Sequence, residues 1–580
     1  MLTTDRVQSG RAITWNTNCS AFPFTQNSHT RFFSGNRVGL IFAAMSSYNT
    51  MMTVLSSPDI LPAALVALST ILILNLLKPR RATCKKQVTG RRPPEPAALP
   101  IIGNMHQLIW NKPCVFRWIY RLLDRMGTDI LCLRFGSTHV VAVACPEMAR
   151  EVLRTKEAMF MSRPATFVSS VFSYGYKSAS LTTVDQQWRK MRRIVTSEIL
   201  SPALDRQLHG RRVEEADDLI RYVYNKIKIA PESNIDIRYI GQHFAGNLIR
   251  RLVFGKKHFG ESPVIGPGDE EVQHVAALFT LVNYVYSFCV SDYFPGLVGL
   301  NLDGHEKVAK GVARTFDRLH DPIIEDRMRE WSTCRKSREK KGVADFLDVL
   351  ISLEDSAGQP LLSFEEIKAQ IVEIMFATVD SPSNAVEWAL AEMLNKPDVM
   401  QKAVDEVDTV VGRERLVQES DICKLNYLKS CIREAFRIHP FHAFTAPRVA
   451  MDDTTIGGYM IPKGSHVILA RLGLGRKPSV WPEPLDFQPE RHLNEGTTVG
   501  LSEPDLRFVS FSTGRRGCPA VPLGSSVTMM LFARLLQGFT WTKPPGVEIM
   551  LKEHRTSLSL AEPLVLNAKP RLGAHLYVAS

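Results

Sequence analysis

The chain has 580 residues, 45% hydrophobic and 22% charged, with a net charge of +12. This is ordinary globular composition, long enough to bury a large core. The Lys and Arg residues are spread out, with no basic tract interleaved with aromatics, which excludes a nucleic-acid footprint. The ten cysteines form no Cys-x-x-Cys pair and no His/Cys cluster of zinc spacing, which argues against a zinc site and a dense disulfide framework and for a reducing compartment.

Residues 1–58 are polar and acid-poor, with Asp5 the single acid before Pro58. Three readings stay open: a disordered extension, a mispredicted start (Met45, Met51 and Met52 are alternatives), and a plastid transit peptide. From Ile60 to Leu77 runs an uncharged apolar stretch, about 27 Å long as a helix, so residues 59–77 are expected to form a single N-terminal transmembrane anchor. Residues 78–98 form a basic, Pro-rich linker; Lys78, Arg80, Arg81, Lys85 and Lys86 place that side in the cytosol. A cleaved signal sequence is the bland alternative, but no small-residue cleavage site follows, and the basic cluster is on the wrong side.

Residues 99–580 show no internal repeat. Helical patterns cover 146–157, 186–200, 210–229, 270–290, 363–395, 397–411 and 425–438. Strand-like runs occur at 129–135, 138–144, 454–460 and 466–470. The expected fold class is mainly α with small β-sheets, in one domain.

Several constellations sit on these elements. Gln187-Trp188-Arg189-Lys190-Met191-Arg192-Arg193 places Trp188 and Arg192 at i, i+4. Ser363-x-x-Glu366 is a capping box that opens a long helix carrying Thr378, Asp380, Ser381 and a mid-helix Pro382. Pro382 lacks an N–H, so the Thr378 carbonyl loses its donor and a local groove is expected. Glu434 and Arg437 share a helix face at i, i+3, and Pro489-Glu490-Arg491-His492 follows. Each of these alone reads as an ordinary amphipathic or solvated helix face, or a kinked core helix.

Phe511-Ser512-Thr513-Gly514-Arg515-Arg516-Gly517-Cys518 fits Phe-x-x-Gly-x-Arg-x-Cys and precedes an apolar helix. Gly514 and Gly517 let loop amides approach the sulfur, and a helix N-terminus favours the thiolate. A thiolate so held is the arrangement of a haem-thiolate iron site, with Cys518 as ligand and Arg516 at a haem propionate.

The stretch from Leu99 to Ser580 resembles a plant cytochrome P450. Within that family it is most similar to the amino-acid N-monooxygenases that form aldoximes for cyanogenic glucosides, glucosinolates and related compounds. The segments carrying the resemblance are Ala377 to Asn384, Gly412 to Asp421, Phe288 to Tyr293, Pro489 to His492 and Ser510 to Cys518. The resemblance implies haem b (iron protoporphyrin IX) ligated by Cys518 and flanked by Phe511 and Gly514. It implies propionate contacts from Trp188, Arg192, Arg448 and Arg516. It implies a buried ion network of Glu434, Arg437 and Arg491, and proton steering by Asp380 and Ser381 with Thr378. It also implies dioxygen as co-substrate, electrons from NADPH through a separate reductase, and membrane lipid as surroundings; the chain carries no nucleotide-binding fingerprint of its own.

The implied reaction is two N-hydroxylations of an aromatic L-amino acid, then dehydration and decarboxylation. The segment Leu278 to Phe288 looks most like that of members that use aromatic amino acids, so the resemblance implies tyrosine, then phenylalanine, then tryptophan. Two departures bear on this. Ser381 stands where the family has Asn, and Thr445 stands where a substrate contact is expected. Ser381 is the best argument for the rival reading, a carbon-hydroxylating P450 of specialised metabolism. A haem-thiolate sensor or scaffold without turnover is the reading from another class.

Overall fold

The computed structural model describes residues 90–230, 232–260, 266–337, 341–493 and 497–578. The expectations for 1–58, 59–77 and the linker up to residue 89 lie outside the described residues.

Among the described residues, ten helices of nine residues or more carry the fold: α1 (Val115–Arg125), α2 (Gln186–Ile194), α3 (His209–Ile229), α4 (Ile237–Phe254), α5 (Asp269–Val285), α6 (His305–Ser337), α7 (Phe364–Leu394), α8 (Pro397–Val410), α9 (Asn426–Ile438) and α10 (Val521–Gly538). Helix α7 runs through the core. Its capping box forms as the sequence demands: the Ser363 hydroxyl accepts from the Glu366 amide at 3.3 Å, and the Ser363 amide donates to the Glu366 carboxylate at 2.9 Å. From Pro382 to Met393 every residue of this helix is buried. Gly241 of α4 shows why the helices close up there: an added Cβ would lie 3.1 Å from the Ser383 Cβ of α7 and 3.6 Å from Leu531 of α10.

The sheets are small, of four, three and two strands. β1 (Ile130–Phe135) and β2 (Thr138–Val143) form an antiparallel hairpin, β7 (His466–Leu469) runs parallel to β2, and β4 (Arg448–Val449) closes the edge antiparallel to β7. β3 (Ile235–Asp236), β9 (Val565–Pro570) and β8 (Phe539–Thr542) form a second sheet in that order. The run expected as one strand over 454–460 is a hairpin, β5 (Thr454–Ile456) and β6 (Tyr459–Ile461). It reverses at Gly457-Gly458, whose φ values of +55° and +80° suit a tight primed turn.

Other boundaries shift for physical reasons. The helix expected over 146–157 is α-helical only to Arg150 and continues as a π turn, Glu151–Thr155. The helix expected over 186–200 likewise passes at Ile194 into a π turn, Val195–Ile199. The Pro-rich segment joins the domain before residue 99: the Arg91 carbonyl accepts from Met460 at 3.0 Å and the Pro94 carbonyl from Cys132 at 2.9 Å. Among the described residues, Asp269–Tyr293 is long and apolar enough to cross a membrane, but 56% of its most apolar window is buried, as befits a core helix.

Candidate active site

The loop before α10 is shaped by its backbone. The Cys518 amide donates to the Phe511 carbonyl at 2.9 Å, and the Gly517 amide to the Gly514 carbonyl at 2.8 Å, folding the loop back on itself. Gly514 has φ +77°, and a Cβ there would stand 2.6 Å from the Glu157 carboxylate and 2.9 Å from the Leu153 carbonyl. Only glycine meets both demands. The Phe511 ring meets Phe436 of α9 edge-on at 5.9 Å. Cys518 has accessible surface, yet burial among protein atoms raises its thiol, with the Ala520 backbone and the Arg192 charge pulling it down. The two observations agree if the sulfur faces an enclosed hollow rather than bulk solvent.

Around this loop the fold gathers arginines. The Arg192 Nη2 donates to the Gly517 carbonyl at 2.9 Å. Arg516 donates to the carbonyls of Met161 at 2.8 Å, Ala179 at 3.3 Å and Thr182 at 2.7 Å. Its guanidinium lies 4.4 Å from the centre of the Trp188 ring. Arg448 donates to the Phe160 carbonyl at 3.3 Å. Sequence reasoning missed a further member, Arg163, which donates to the carbonyls of Ala446 and Pro447 at 2.8 Å each. No periodicity marks it, because it lies in a loop.

These cations depress one another. Burial first, then Arg163, lowers Arg448 to about 9, and burial with Arg163 and Arg448 lowers Arg516 to about 9. Burial also lowers Arg192 and Arg163. Arg163, Arg448 and Arg516 are each more than nine-tenths buried, with no carboxylate in ion-pair contact among the described residues. The Trp188 indole N–H and the Arg163 Nε are buried without a hydrogen-bond partner. Such an arrangement is costly unless an anion completes it. A haem fits: Cys518 would ligate the iron, and Trp188, Arg192, Arg448, Arg516 and Arg163 would receive two propionates.

Behind the cysteine loop the expected ion network forms. Arg437 grips Glu434 with both ends of its fork, Nε at 2.8 Å and Nη2 at 2.7 Å. The Arg491 Nε stands 2.9 Å from the same carboxylate. His492, which sequence reasoning quoted but did not place in the network, meets Glu434 at 2.7 Å. Burial alone would raise Glu434; the bonds from Arg437 and His492 outweigh it and hold the acid at about 2. Arg437 also donates to the carbonyls of Gly475 at 2.6 Å and Pro484 at 2.8 Å, so the pair locks α9 to the segment running toward the cysteine loop.

α7 supplies the acid and hydroxyl groups. Thr378 donates back to the Ile374 carbonyl at 2.8 Å, while the Ser383 hydroxyl takes the carbonyls of Val379 and Asp380 at 3.0 Å each. Ser381 is half-buried on the same turn. Helix α7 continues through Pro382, with the Thr378 carbonyl deprived of its helical donor. The Asp380 side chain is 19% accessible and lies 3.9 Å from His442, which is 31% accessible. Burial nevertheless raises Asp380 to about 7, with Arg471 opposing, and lowers His442 to about 3. Both side chains are thus largely enclosed by protein while keeping some accessible surface. The Ala179 amide donates to Gln370 at 3.2 Å and the Ser180 amide to Glu373 at 2.7 Å, so one loop ties Arg516 to α7. Thr445 differs from expectation. Its hydroxyl accepts from the Leu469 amide at 3.2 Å and its amide donates to the Leu469 carbonyl at 3.0 Å, which makes it a clasp on β7.

A cysteine loop, an acid–arginine lock and a proline-bearing core helix with largely enclosed polar groups define a haem-thiolate monooxygenase. The chain belongs to the cytochrome P450 family, whose model matches residues 93–567. Tyrosine N-monooxygenase of Sorghum bicolor is 52% identical, covering 92% of this chain and 99% of that one. Valine N-monooxygenase 2 of Manihot esculenta is 48% identical over 93% and 97%. Tryptophan N-monooxygenase 1 of Arabidopsis thaliana is 48% identical over 84% and 89%.

Proposed function

We propose that this P450 converts an aromatic L-amino acid, tyrosine before phenylalanine, to its aldoxime. The observation that carries the reading is the 52% identity to the Sorghum bicolor enzyme over nearly the whole of both chains. The amine is hydroxylated twice, each time with one dioxygen and two electrons; loss of water and carbon dioxide leaves the aldoxime. Cys518 would hold the haem, which when bound would supply the activation of dioxygen. The chain's own groups do the rest. Asp380 and Ser381 hand protons into the hollow, and Arg437 with Glu434 keeps α9 and the cysteine loop in register.

Electrons come from an NADPH-dependent reductase docking near the cysteine loop. Exposed Arg189, Arg193 and Arg515 support an acidic partner there, whereas Lys190 is engaged by Glu366 at 2.8 Å. The protein is anchored by residues 59–77 in the endoplasmic reticulum membrane, with its domain in the cytosol. An exposed apolar surface supports this: Trp110 is 78% accessible, Leu300 62% and Leu302 59%, and the two stretches are joined by Lys112 and Asp303 at 2.5 Å.

Microsomes carrying the full chain and a plant reductase, given NADPH and each protein amino acid, test the reading. An aldoxime from tyrosine is the expected product. A ring- or side-chain-hydroxylated product with no aldoxime would favour the carbon-hydroxylating alternative, for which Ser381 speaks.

A further inference from the structure

Arg471 opens the short helix Arg471–Gly475 that follows β7. Its backbone is fixed: the Arg471 amide donates to the Ala443 carbonyl at 2.9 Å, and the preceding Ala470 amide to Val143 at 2.7 Å. Its guanidinium lies 4.3 Å from the centre of the Phe441 ring. The residue is 8% accessible. Its Nε and Nη1 have no hydrogen-bond partner.

The groups nearest in charge do not satisfy it. Tyr120 donates its hydroxyl to the Ala443 carbonyl at 2.7 Å and accepts from the Leu472 amide at 3.1 Å, so it is committed. Asp380 and Arg471 feel each other's charge, but Asp380's one ion-pair contact among the described residues is His442, at 3.9 Å. Burial lowers Arg471 only to about 10, so it stays a cation. A buried, unpaired guanidinium is costly, and its planar fork suits a carboxylate. The Phe441 ring under it meets the His442 ring at 5.0 Å, and His442 stands 3.9 Å from Asp380, so Arg471 lies beside the polar turn of α7.

We propose that Arg471 binds the carboxylate of the amino-acid substrate. The proposal rests on the reading above and names the group it left open. The aldoxime, having lost its carboxylate, no longer engages Arg471 and is released more readily than substrate is.

The test uses the full-length, haem-loaded protein in a bilayer disc, titrated by its substrate-induced absorbance shift. L-Tyrosine, tyramine and the tyrosine aldoxime are compared for the natural protein, Arg471→Lys and Arg471→Gln. The carbon-monoxide spectrum confirms that each variant folds with its thiolate intact. Arg471→Gln is expected to weaken tyrosine by on the order of 10–100-fold, the worth of a charged hydrogen-bonded pair, and to leave tyramine unchanged. Arg471→Lys should recover part of the loss. Equal weakening of tyrosine and tyramine, or no weakening of tyrosine, overturns the proposal. If the natural protein makes no aldoxime from any amino acid, the amino-acid reading fails separately. The same titration with p-hydroxyphenylpropionate against its alcohol then decides whether Arg471 holds a carboxylate.

Discussion

The Arg516 guanidinium stacks 4.4 Å from the centre of the Trp188 ring, while the indole N–H of that tryptophan is buried with no partner. The ring face is used and its donor is left for an acceptor that the arginine cluster would share. Trp188→Phe keeps the ring and removes the donor. Haem transfer to excess apomyoglobin should then run on the order of 10-fold faster, the worth of a hydrogen bond to a charged group. An unchanged rate would mean that Trp188 serves packing alone.

Glu434 and Arg437 are both fully buried, and each is the other's counter-charge. Arg437→Ala would leave Glu434 with Arg491, His492 and the Gln488 amide, and empties the bonds to Gly475 and Pro484. Breaking such a pair costs about 3–5 kcal/mol. Thermal unfolding should show a loss of that size; a loss under about 1 kcal/mol would contradict the lock described here.

Acid should destabilise the protein through its buried histidines. His320 is held at about 3, against an ordinary 6.5, by burial first, then Lys368 and Arg250, with Asp317 opposing. It meets His274 at 3.0 Å, and burial lowers that ring too. The folded state refuses protons that the unfolded chain accepts. Stability is therefore full above pH 6.5 and lost as pH falls toward 3, by up to about 1.4 kcal/mol per pH unit per group. Glu434, lowered from 4.5 to about 2, adds a further loss below pH 4.5. Melting temperature measured against pH should slope less steeply in His320→Gln between 6.5 and 4.5 than in the natural protein; parallel slopes would rule this out.

Asp380 is raised to about 7 by burial. As a proton donor its contribution is present below that pH and fades above it. Asp380→Asn should lower turnover by about 100-fold, the worth of a positioned acid, and should flatten the alkaline limb of the rate profile. Less aldoxime per NADPH consumed is the companion readout. An unaltered profile would remove Asp380 from proton delivery.

Much of this was legible in the residues, and the exceptions have causes. The amphipathic helices α2, α3, α8 and α9 show one apolar face and were readable by period. Helix α4 was not, because it is buried on nearly every side, from Ile237 to Phe254, and so carries no face pattern. Helix α6 was missed because Pro322 sits inside it and reads as a stop. At the site, spacing along one helix found Glu434 with Arg437, and Trp188 with Arg192. Residues in loops or at the start of a short helix had no such signal: Arg163, the clasp made by Thr445, and the unpaired Arg471 all depend on long-range closure.

The most direct measurement feeds the reconstituted system L-tyrosine labelled in its carboxyl carbon and counts NADPH, labelled carbon dioxide and aldoxime together. The account predicts two NADPH and one carbon dioxide for each aldoxime when coupling is complete, with carbon dioxide and aldoxime equal throughout. Turnover that leaves the label in a hydroxylated amino acid, at one NADPH per product, would contradict it.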